Sequence, residues 1–269
     1  MSGFSADWLA LREPYDLRAR NPAVLDAVTA SFKTRPFVHV VDLACGTGST
    51  LRALSPRLPA RQNWKLIDND LDLLAIATAM PLASDISAKA ISLDLNRDLD
   101  AALDGTVDLV ATSALLDLVS DRWLERLAAA VAARSIPLYA ALSYDGRTAF
   151  TPSDPLDAAI TAAVNVHQRT DKGFGPALGP AAAGVAIARF EALGYSLVHG
   201  FSDWTMGPDD RDMQAEILEG WASAAHDTAA LSPADCTAWL ARRRDAIAAG
   251  RSSLRVGHVD FFATPSAMR

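Results

Sequence analysis

The sequence is poor in cysteine and carries fewer basic than acidic residues. Its 269 residues include two cysteines, Cys45 and Cys236, which lack metal-ligand spacing and give no disulfide framework. Lys and Arg number 25 against 32 Asp and Glu, and the resulting net charge of -7 repels polyphosphates. We therefore expect a cytoplasmic protein with no metal site and no nucleic-acid partner.

Long apolar runs are also missing. The first twenty residues have no basic start followed by an apolar stretch, so they do not resemble a secretion signal. The most apolar later run, residues 127–142, is interrupted by Arg134 and Pro137 and falls short of the ~20 apolar residues of a membrane helix. The sequence predicts no membrane partner.

What the chain does have is an alternation of short apolar runs with longer amphipathic ones from about residue 37 to 200, and 50% hydrophobic residues overall. This pattern is typical of parallel strands joined by helical crossovers. We predict an α/β fold with a Rossmann-like, seven-stranded, mostly parallel sheet and helices on both faces. The predicted strands are residues 37–43, 63–68, 88–94, 107–113, 136–144, 195–204 and 253–264.

Helix starts are indicated by Asn21 before Pro22, by Asp70 and by Ser120, each ahead of an apolar periodic run. Three segments lie outside the alternation. Residues 1–35 are predicted to form an N-terminal helical lid on a catalytic domain of residues 36–269. Insertions 145–180 and 207–251 are predicted to form the substrate cover.

The loop in VVDLACGTGST, residues 40–50, follows the first predicted strand. Gly46 and Gly48 permit backbone angles and close ligand approach that other residues hinder. A phosphate-binding P-loop would end in Gly-Lys-Ser/Thr, which is missing here. A dinucleotide fingerprint needs a small third residue where Leu51 stands. An NAD-dependent oxidoreductase is therefore disfavoured, although it stays as an alternative.

The order acidic-x-small-x-Gly-x-Gly after an apolar strand closely resembles motif I of class I S-adenosylmethionine-dependent methyltransferases, and the resemblance covers about residues 37–145. Ala44 departs from it, standing where the first glycine usually is. The resemblance implies a methyltransferase with S-adenosylmethionine as cofactor and S-adenosylhomocysteine as product. It places Asp68 at the ribose hydroxyls and Asp94 at the adenine. The implied cofactor residues are Asp42, Ala44, Gly46, Gly48, Asp68, Asn69, Asp94, Leu95 and Ser113.

The acceptor is indicated only in class. After the fourth predicted strand stands Thr112-Ser113-Ala114, and not the Asn/Asp-Pro-Pro-aromatic tetrad of amino-directed DNA methyltransferases. Together with the acidic balance, this favours in-line methyl transfer to a small molecule. The accepting atom stays open among oxygen, nitrogen, carbon and sulfur, as does the oligomeric state. A non-catalytic methyltransferase-like nucleoside-binding protein is a further alternative.

His167 is the leading catalytic candidate, since it opens the Gly- and Pro-rich segment 166–180 and the other histidines lie in predicted strands or on a helix. Asp117 and Tyr144, near strand ends, compete with it. Trp8 and its helical neighbours form either a lid over the cofactor or an amphipathic helix on the sheet edge. The predicted substrate-binding residues are Tyr15, Arg12, Arg169, Lys172 and Trp204.

The predicted helical excursion 207–251 carries Trp221 and Trp239 at helical spacing. They are interpreted as core between helix and sheet. If the excursion instead covers the acceptor pocket, its aromatic residues favour an apolar or cyclic substrate. The run ARRRD, residues 241–245, is a solvated basic face or, as the lesser alternative, an anion-binding patch.

Overall fold

A computed structural model describes residues 4–266 and contains an eight-stranded sheet. Strands β1 to β5 are parallel in the order β3-β2-β1-β4-β5, and β8 runs antiparallel between β5 and β6, with the short β7 also on β8. The predicted Rossmann-like fold is thus confirmed. The strands are β1 Val38–Leu43, β2 Gln62–Asp68, β3 Ile86–Ser92, β4 Leu109–Ser113, β5 Leu138–Thr151, β6 Tyr195–Phe201, β7 Trp204–Met206 and β8 Ser253–Pro265.

Helices cover both faces of the sheet. Asn21, Asp70 and Ser120 cap helices with their side chains, as the sequence predicts. Every helix between residues 4 and 266 is too short or too polar to cross a lipid bilayer. The helices are α1 Ala6–Ala19, α2 Pro22–Phe32, α3 Ser49–Leu54, α4 Leu71–Thr78, α5 Leu99–Ala102, α6 Asp121–Ala133, α7 Asp157–His167, α8 Ala182–Ala192, α9 Arg211–Asp227 and α10 Pro233–Ala248.

Two strand predictions need correction. The predicted strand 195–204 breaks after Phe201, and Trp204 begins a separate strand on β8, which gives eight strands and not seven. Strand β5 does not end at Tyr144 but runs to Thr151, because its pairing with β8 continues to Thr151 opposite Ser253. Residues 145–151 contain many polar residues, which do not indicate a strand. In the structure they form one, and its side chains alternate between half-buried and exposed.

Three apolar cores result. On one face of the sheet α6 and α8 bury residues such as Trp123 and Phe190, and on the other α2, α3 and α4 bury residues such as Val28. A third core lies beyond the carboxyl edge, where α7, α9 and α10 pack on β7 and on the extended parts of β5 and β8. Trp239 is fully buried there and Phe150 packs against Trp221, so both tryptophans belong to this core.

The arginines of the run 241–245 form neither a free basic face nor an anion patch. Each has a carboxylate partner, which leaves little charge for an external anion. The pairs are Arg242 with Asp154 at 2.5 Å, Arg243 with Asp157, and Arg244 with Glu219 at 2.6 Å.

Asp70→Ala tests the capping of α4. The Asp70 carboxylate accepts the N–H groups of Asp72 and Leu73, at 2.9 and 3.1 Å. Its removal is expected to lower the free energy of unfolding by about 1 kcal/mol, measured by urea denaturation without ligand. Asp72→Ala, an exposed change in the same turn, is the control; equal losses in both variants would contradict a capping role.

Candidate functional site

The loop between β1 and α3 bends tightly at the carboxyl edge of the sheet. Ala44, Gly46 and Gly48 have left-handed φ angles of 55°, 53° and 86°. The loop is anchored by the N–H of Cys45 on the carbonyl of Ile67, at 2.9 Å. Glycine adopts such angles without strain, and its missing side chain lets a ligand meet the main chain. Cys45 is buried, and desolvation raises the pKa of its thiol, as befits a packed residue and not a nucleophile.

Asp68, at the end of β2, is tied to this loop. Its Oδ2 accepts the N–H of Gly46 at 2.8 Å, and its Oδ1 accepts the N–H of Asp70 at 3.1 Å. Two backbone donors from different loops therefore fix the orientation of the carboxylate. Asn69 is exposed in the following turn.

Asp42, at the end of β1, is a buried carboxylate without a hydrogen-bond partner among residues 4–266. Burial raises its pKa to about 8; the charge of Arg20 opposes this rise and that of Asp68 adds to it. An unpartnered buried acceptor costs free energy unless a donor or a cation meets it. Asp42 is thus suited to the positively charged part of a ligand.

The remaining cofactor candidates lie at the ends of β3 and β4. Asp94 follows β3 and accepts the N–H of Asn96 at 3.0 Å. The buried Leu95 presents its carbonyl to Trp123, and Ser113 accepts a hydrogen bond of 3.4 Å from Arg20. The fold therefore brings all the predicted cofactor residues to the carboxyl ends of four adjacent strands, where open α/β sheets bind ligands.

Helix α1 lies on the glycine loop. Leu9 Cδ1 is 3.2 Å from the place where a Cβ on Gly46 would stand. Glu13 forms a two-pronged ion pair with Arg52 of α3, with an Nη2–Oε2 distance of 2.6 Å. Arg52 also donates to the carbonyl of Thr47 at 2.6 Å. These contacts fix α1 directly over the space that a ligand of the loop would use.

The inner face of α1 also reaches a buried group beyond β4 and β5. Arg12 and Asp16 are less than 10% exposed and form two hydrogen bonds with each other, of 3.0 and 3.2 Å. The guanidinium lies 4.8 Å from the ring centre of Trp204, whose Nε1 donates to Asp16 at 2.9 Å. We call this group the buried polar cluster; it comprises Arg12, Asp16, Asp117, Tyr144, Trp204 and His258.

Asp117 and His258 complete the cluster with unsatisfied atoms. Asp117 Oδ1 and His258 Nδ1 have no hydrogen-bond partner among the described residues, although the side chains are 6% and 4% exposed. Burial raises the pKa of Asp117 to about 6, against the opposing charge of Arg12. Burial lowers the pKa of His258 to about 3, so its ring is neutral near pH 7. The His258 ring lies 4.7 Å from that of Trp204 and 6.2 Å from that of Tyr144.

Sequence reasoning missed His258 and the fully buried Ser143, whose Oγ is also unpartnered. His258 lies inside the predicted strand 253–264, which favours a structural role for it. A signal was present: His258 and Asp260 stand two apart on one side of β8, in a strand otherwise apolar on its buried positions. Asp260 accepts the N–H of Leu142 at 2.7 Å, at an irregularity of β5 where Leu142 has a φ of 55°.

The structure does not join His167 to this cluster. Its Nδ1 lies 3.5 Å from Lys172 Nζ, and its Nε2 lies 4.0 Å from Asp227 at the end of α9. Asn165, two residues earlier on α7, accepts a hydrogen bond from Tyr144 at 2.8 Å. Residues two apart on a helix point in nearly opposite directions, so His167 faces away from Tyr144. Arg169 is exposed in the same segment, and Tyr15 donates to Asp210 at 2.8 Å.

A surface depression of about 630 Å³ lies at the amino ends of β2 and β3, bordered by residues 51–62 and 80–86. It is at the opposite edge of the sheet from Asp42 and Asp68. A smaller one of about 110 Å³ lies beside α1, lined by Tyr15, Arg18, Ala19, Asp203 and Thr205. Within residues 4–266, neither is lined by a buried carboxylate without a partner, unlike the region under α1.

Comparison with known proteins gives a match to the part of the chain that forms this edge of the sheet. A family model described as "Methyltransferase domain" matches residues 40–135, which span β1 to α6. No curated protein sequence matches the chain.

Solved structures with the same fold cover nearly the whole chain at low identity. The cyclopropane synthase MmaA2 from Mycobacterium tuberculosis is 12% identical, with a TM-score of 0.53 over 97% of this chain and 94% of that one. A cyclopropane-fatty-acyl-phospholipid synthase-like protein from Lactobacillus casei ATCC 334 is 13% identical, with a TM-score of 0.51 over 98% and 95%. The YcgJ protein from Bacillus subtilis is 12% identical, with a TM-score of 0.50 over 92% and 100%.

Residues 40–135 thus match a methyltransferase domain, and the chain as a whole has the fold of these three solved structures. The unpartnered carboxylate of Asp42 and the glycine loop of left-handed residues fit a cationic nucleoside ligand at this edge.

Asp42→Asn tests the buried charge at the end of β1. Between the ordinary pKa of 3.8 and the folded-state value of about 8, folded protein holds a proton that unfolded chain has released. Asp42 therefore stabilises the fold at low pH, and this contribution is lost as the pH rises towards 8. We expect the unfolding free energy of the ligand-free protein to fall with pH by up to about 1.4 kcal/mol per unit for this one proton.

The measurement is urea denaturation at several pH values from 6.5 to 8, where Asp117 is already largely ionised. The difference between the parent protein and Asp42→Asn isolates Asp42, because Arg20, Arg52 and Asp68 are unchanged in both. Parallel pH dependences in the two proteins would show that Asp42 is ionised throughout.

Proposed function

We propose that this protein transfers the methyl group of S-adenosylmethionine to a small-molecule acceptor by in-line displacement, with the acceptor in the buried polar cluster. The observation that carries the proposal is a pair of buried carboxylates with unpartnered oxygens, both of Asp42 near the end of β1 and Oδ1 of Asp117 after the neighbouring strand β4. One is suited to the donor and the other to the acceptor. Residues 1–35, 145–180 and 207–251 form the cover in this proposal.

The donor-side residues bind and orient. When bound, S-adenosylmethionine supplies a methyl group already activated by its sulfonium. Asp68, fixed by two backbone donors, accepts hydrogen bonds from the ribose hydroxyls, and Asp94 with Leu95 borders the adenine. Asp42 compensates positive charge, and Gly46 with Gly48 lets the ligand lie against the main chain.

On the acceptor side the main catalytic contribution is positioning in a site from which water is excluded. Asp117 follows β4 directly and is the candidate for holding the acceptor's proton, with Tyr144 beside it. Arg12 and Trp204 form the wall of the same site, and Tyr15 lies further out on α1. In our proposal His167, Arg169 and Lys172 belong to the outer cover.

The two alternative functions, an NAD-dependent oxidoreductase and a non-catalytic nucleoside-binding protein, predict different features of the site. Leu51 is buried in the core beneath α3, so the close helix–strand contact of a dinucleotide site is filled by a large side chain, which disfavours NAD. A non-catalytic nucleoside-binding protein would bind the cofactor but offer no acceptor group. Asp117, whose buried Oδ1 has no partner among the described residues, favours the enzyme, because an unmet buried acceptor costs free energy.

The net charge and the free cysteines bear on the class of acceptor and on the cellular compartment. The net charge of -7 makes nucleic acid an unsuitable acceptor. Cys45 and Cys236 are both free and buried, which suits a reducing compartment such as the cytoplasm.

Asp68→Ala tests the donor site. The variant loses hydrogen bonds to the ribose and is expected to bind S-adenosylhomocysteine about tenfold to a hundredfold more weakly, since the loss is about 1.5–3 kcal/mol. Calorimetric titration measures it, with Asp100→Ala on α5 as the control and circular dichroism to verify folding. Undiminished affinity would remove Asp68 from the cofactor site, and binding of NAD in place of S-adenosylhomocysteine would overturn the proposed function.

Glu13→Gln tests α1 as the cover of the donor loop. Without the ion pair to Arg52, α1 is expected to open more often, so its backbone amides exchange hydrogen faster and S-adenosylhomocysteine associates faster. Hydrogen-exchange mass spectrometry and stopped-flow binding measure the two effects. Glu125→Gln, on the exposed face of α6, is the control. Unchanged exchange and association rates in Glu13→Gln would show that α1 does not limit access.

A further inference from the structure

We propose that the acceptor is an amine, whose N–H groups are held by Asp117 beside the aromatic rings of the buried polar cluster. This inference rests on the proposed function and names its substrate class. It follows from which atoms the cluster leaves unpartnered, from the charge balance of the cluster, and from the apolar walls around it.

The unpartnered carboxylate oxygen of the cluster is a hydrogen-bond acceptor. Asp117 Oδ1 accepts only, once the carboxyl is ionised. A ligand that satisfies this atom must therefore bring a donor. Amines bring two or three N–H groups, whereas carboxylates and phosphates bring none.

The charge balance also favours a cation. Arg12 is the basic group of the cluster, and its charge is already matched by Asp16 through two hydrogen bonds. The charge of Arg147 also lowers the pKa of His258, but Arg147 donates hydrogen bonds to Asp145 and Asp203, which match that charge. The carboxylate of Asp117 is left over. An ammonium group would neutralise it, and an anion would add a second unmatched negative charge.

The surroundings are aromatic. Trp8 and Trp204 meet edge to face, with ring centres 6.2 Å apart, and the rings of Tyr144 and His258 continue the wall. The Arg12 guanidinium already lies over Trp8 and Trp204, at 5.9 and 4.8 Å from the ring centres, and the aromatic wall is suited to packing against an apolar stem. The expected acceptor therefore carries its amine on an aromatic or aliphatic stem.

In this proposal Asp117 also accepts a proton from the acceptor. An ammonium has no lone pair, so one N–H bond must break before the nitrogen can act as a nucleophile. The ionised Asp117 carboxylate takes that proton: R–NH3⁺ and the carboxylate become R–NH2 and the carboxylic acid, with no change in total charge. Burial, which raises the pKa of Asp117 to about 6, brings this carboxylate closer to the basicity that such a transfer needs.

The test uses three probes of nearly equal shape, 2-phenylethylamine, 2-phenylethanol and 3-phenylpropanoate, titrated into the full-length protein saturated with S-adenosylhomocysteine. Calorimetry and saturation-transfer NMR report binding without relying on turnover. We expect 2-phenylethylamine to bind and the other two to bind at least about tenfold more weakly. Asp117→Asn is expected to weaken the amine at least about tenfold while S-adenosylhomocysteine binds as before.

Asp100→Asn, on the exposed side of α5, is the matched control and is expected to leave all affinities unchanged. A preference for 3-phenylpropanoate or for the alcohol, amine binding that Asp117→Asn does not alter, or binding of none of the three would overturn the amine assignment. Failure of the parent protein to bind S-adenosylhomocysteine would instead overturn the proposed function, so the two negative results are distinguishable.

Discussion

The burial of carboxylates at the carboxyl edge of the sheet is the constraint on which the rest of the site depends. Asp42 and Asp117 are almost inaccessible to solvent, and a lone buried carboxylate is strongly unfavourable. The two guanidinium groups that oppose these charges, Arg20 and Arg12, both come from the N-terminal segment. Helix α1 is therefore part of the electrostatics of the site as well as its cover.

The sheet is extended to carry this arrangement. Because β5 and β8 continue as an antiparallel pair beyond the carboxyl edge, with β7 added to β8, a platform stands beside the donor loop. Helices α7, α9 and α10 bury its apolar side. Trp204 contacts Arg12 and Asp16 of α1 and packs against His258, whereas Tyr144 donates to Asn165 of α7. In the proposed function this platform forms the acceptor side, built from the same strands as the main sheet.

The donor side was predictable from the sequence because its determinants are local. A strand that ends in Asp42, left-handed turns at Gly46 and Gly48, and an N-cap at Asp70 each follow from a few neighbouring residues. The acceptor side was not, because it depends on pairing over long sequence distances. Asp16 meets Trp204 across 188 residues, and nothing near either one indicates the other. The composition of the segment 166–180 indicated His167 as a candidate, whereas the strand pattern around His258 gave no such indication.

The two halves of the proposed site share helix α1. Leu9 on Gly46, Arg12 beside Asp117 and Glu13 on Arg52 stand on one face of α1, at spacings of three and four residues. A displacement of α1 that uncovers the glycine loop must also withdraw the Arg12 charge from Asp117. Ligands that compensate Asp42 and Asp117 would then favour the closed position together, since each removes an electrostatic cost that α1 otherwise meets alone. Binding of a cationic cofactor and of an amine acceptor would be coupled through this helix without direct contact between the two ligands.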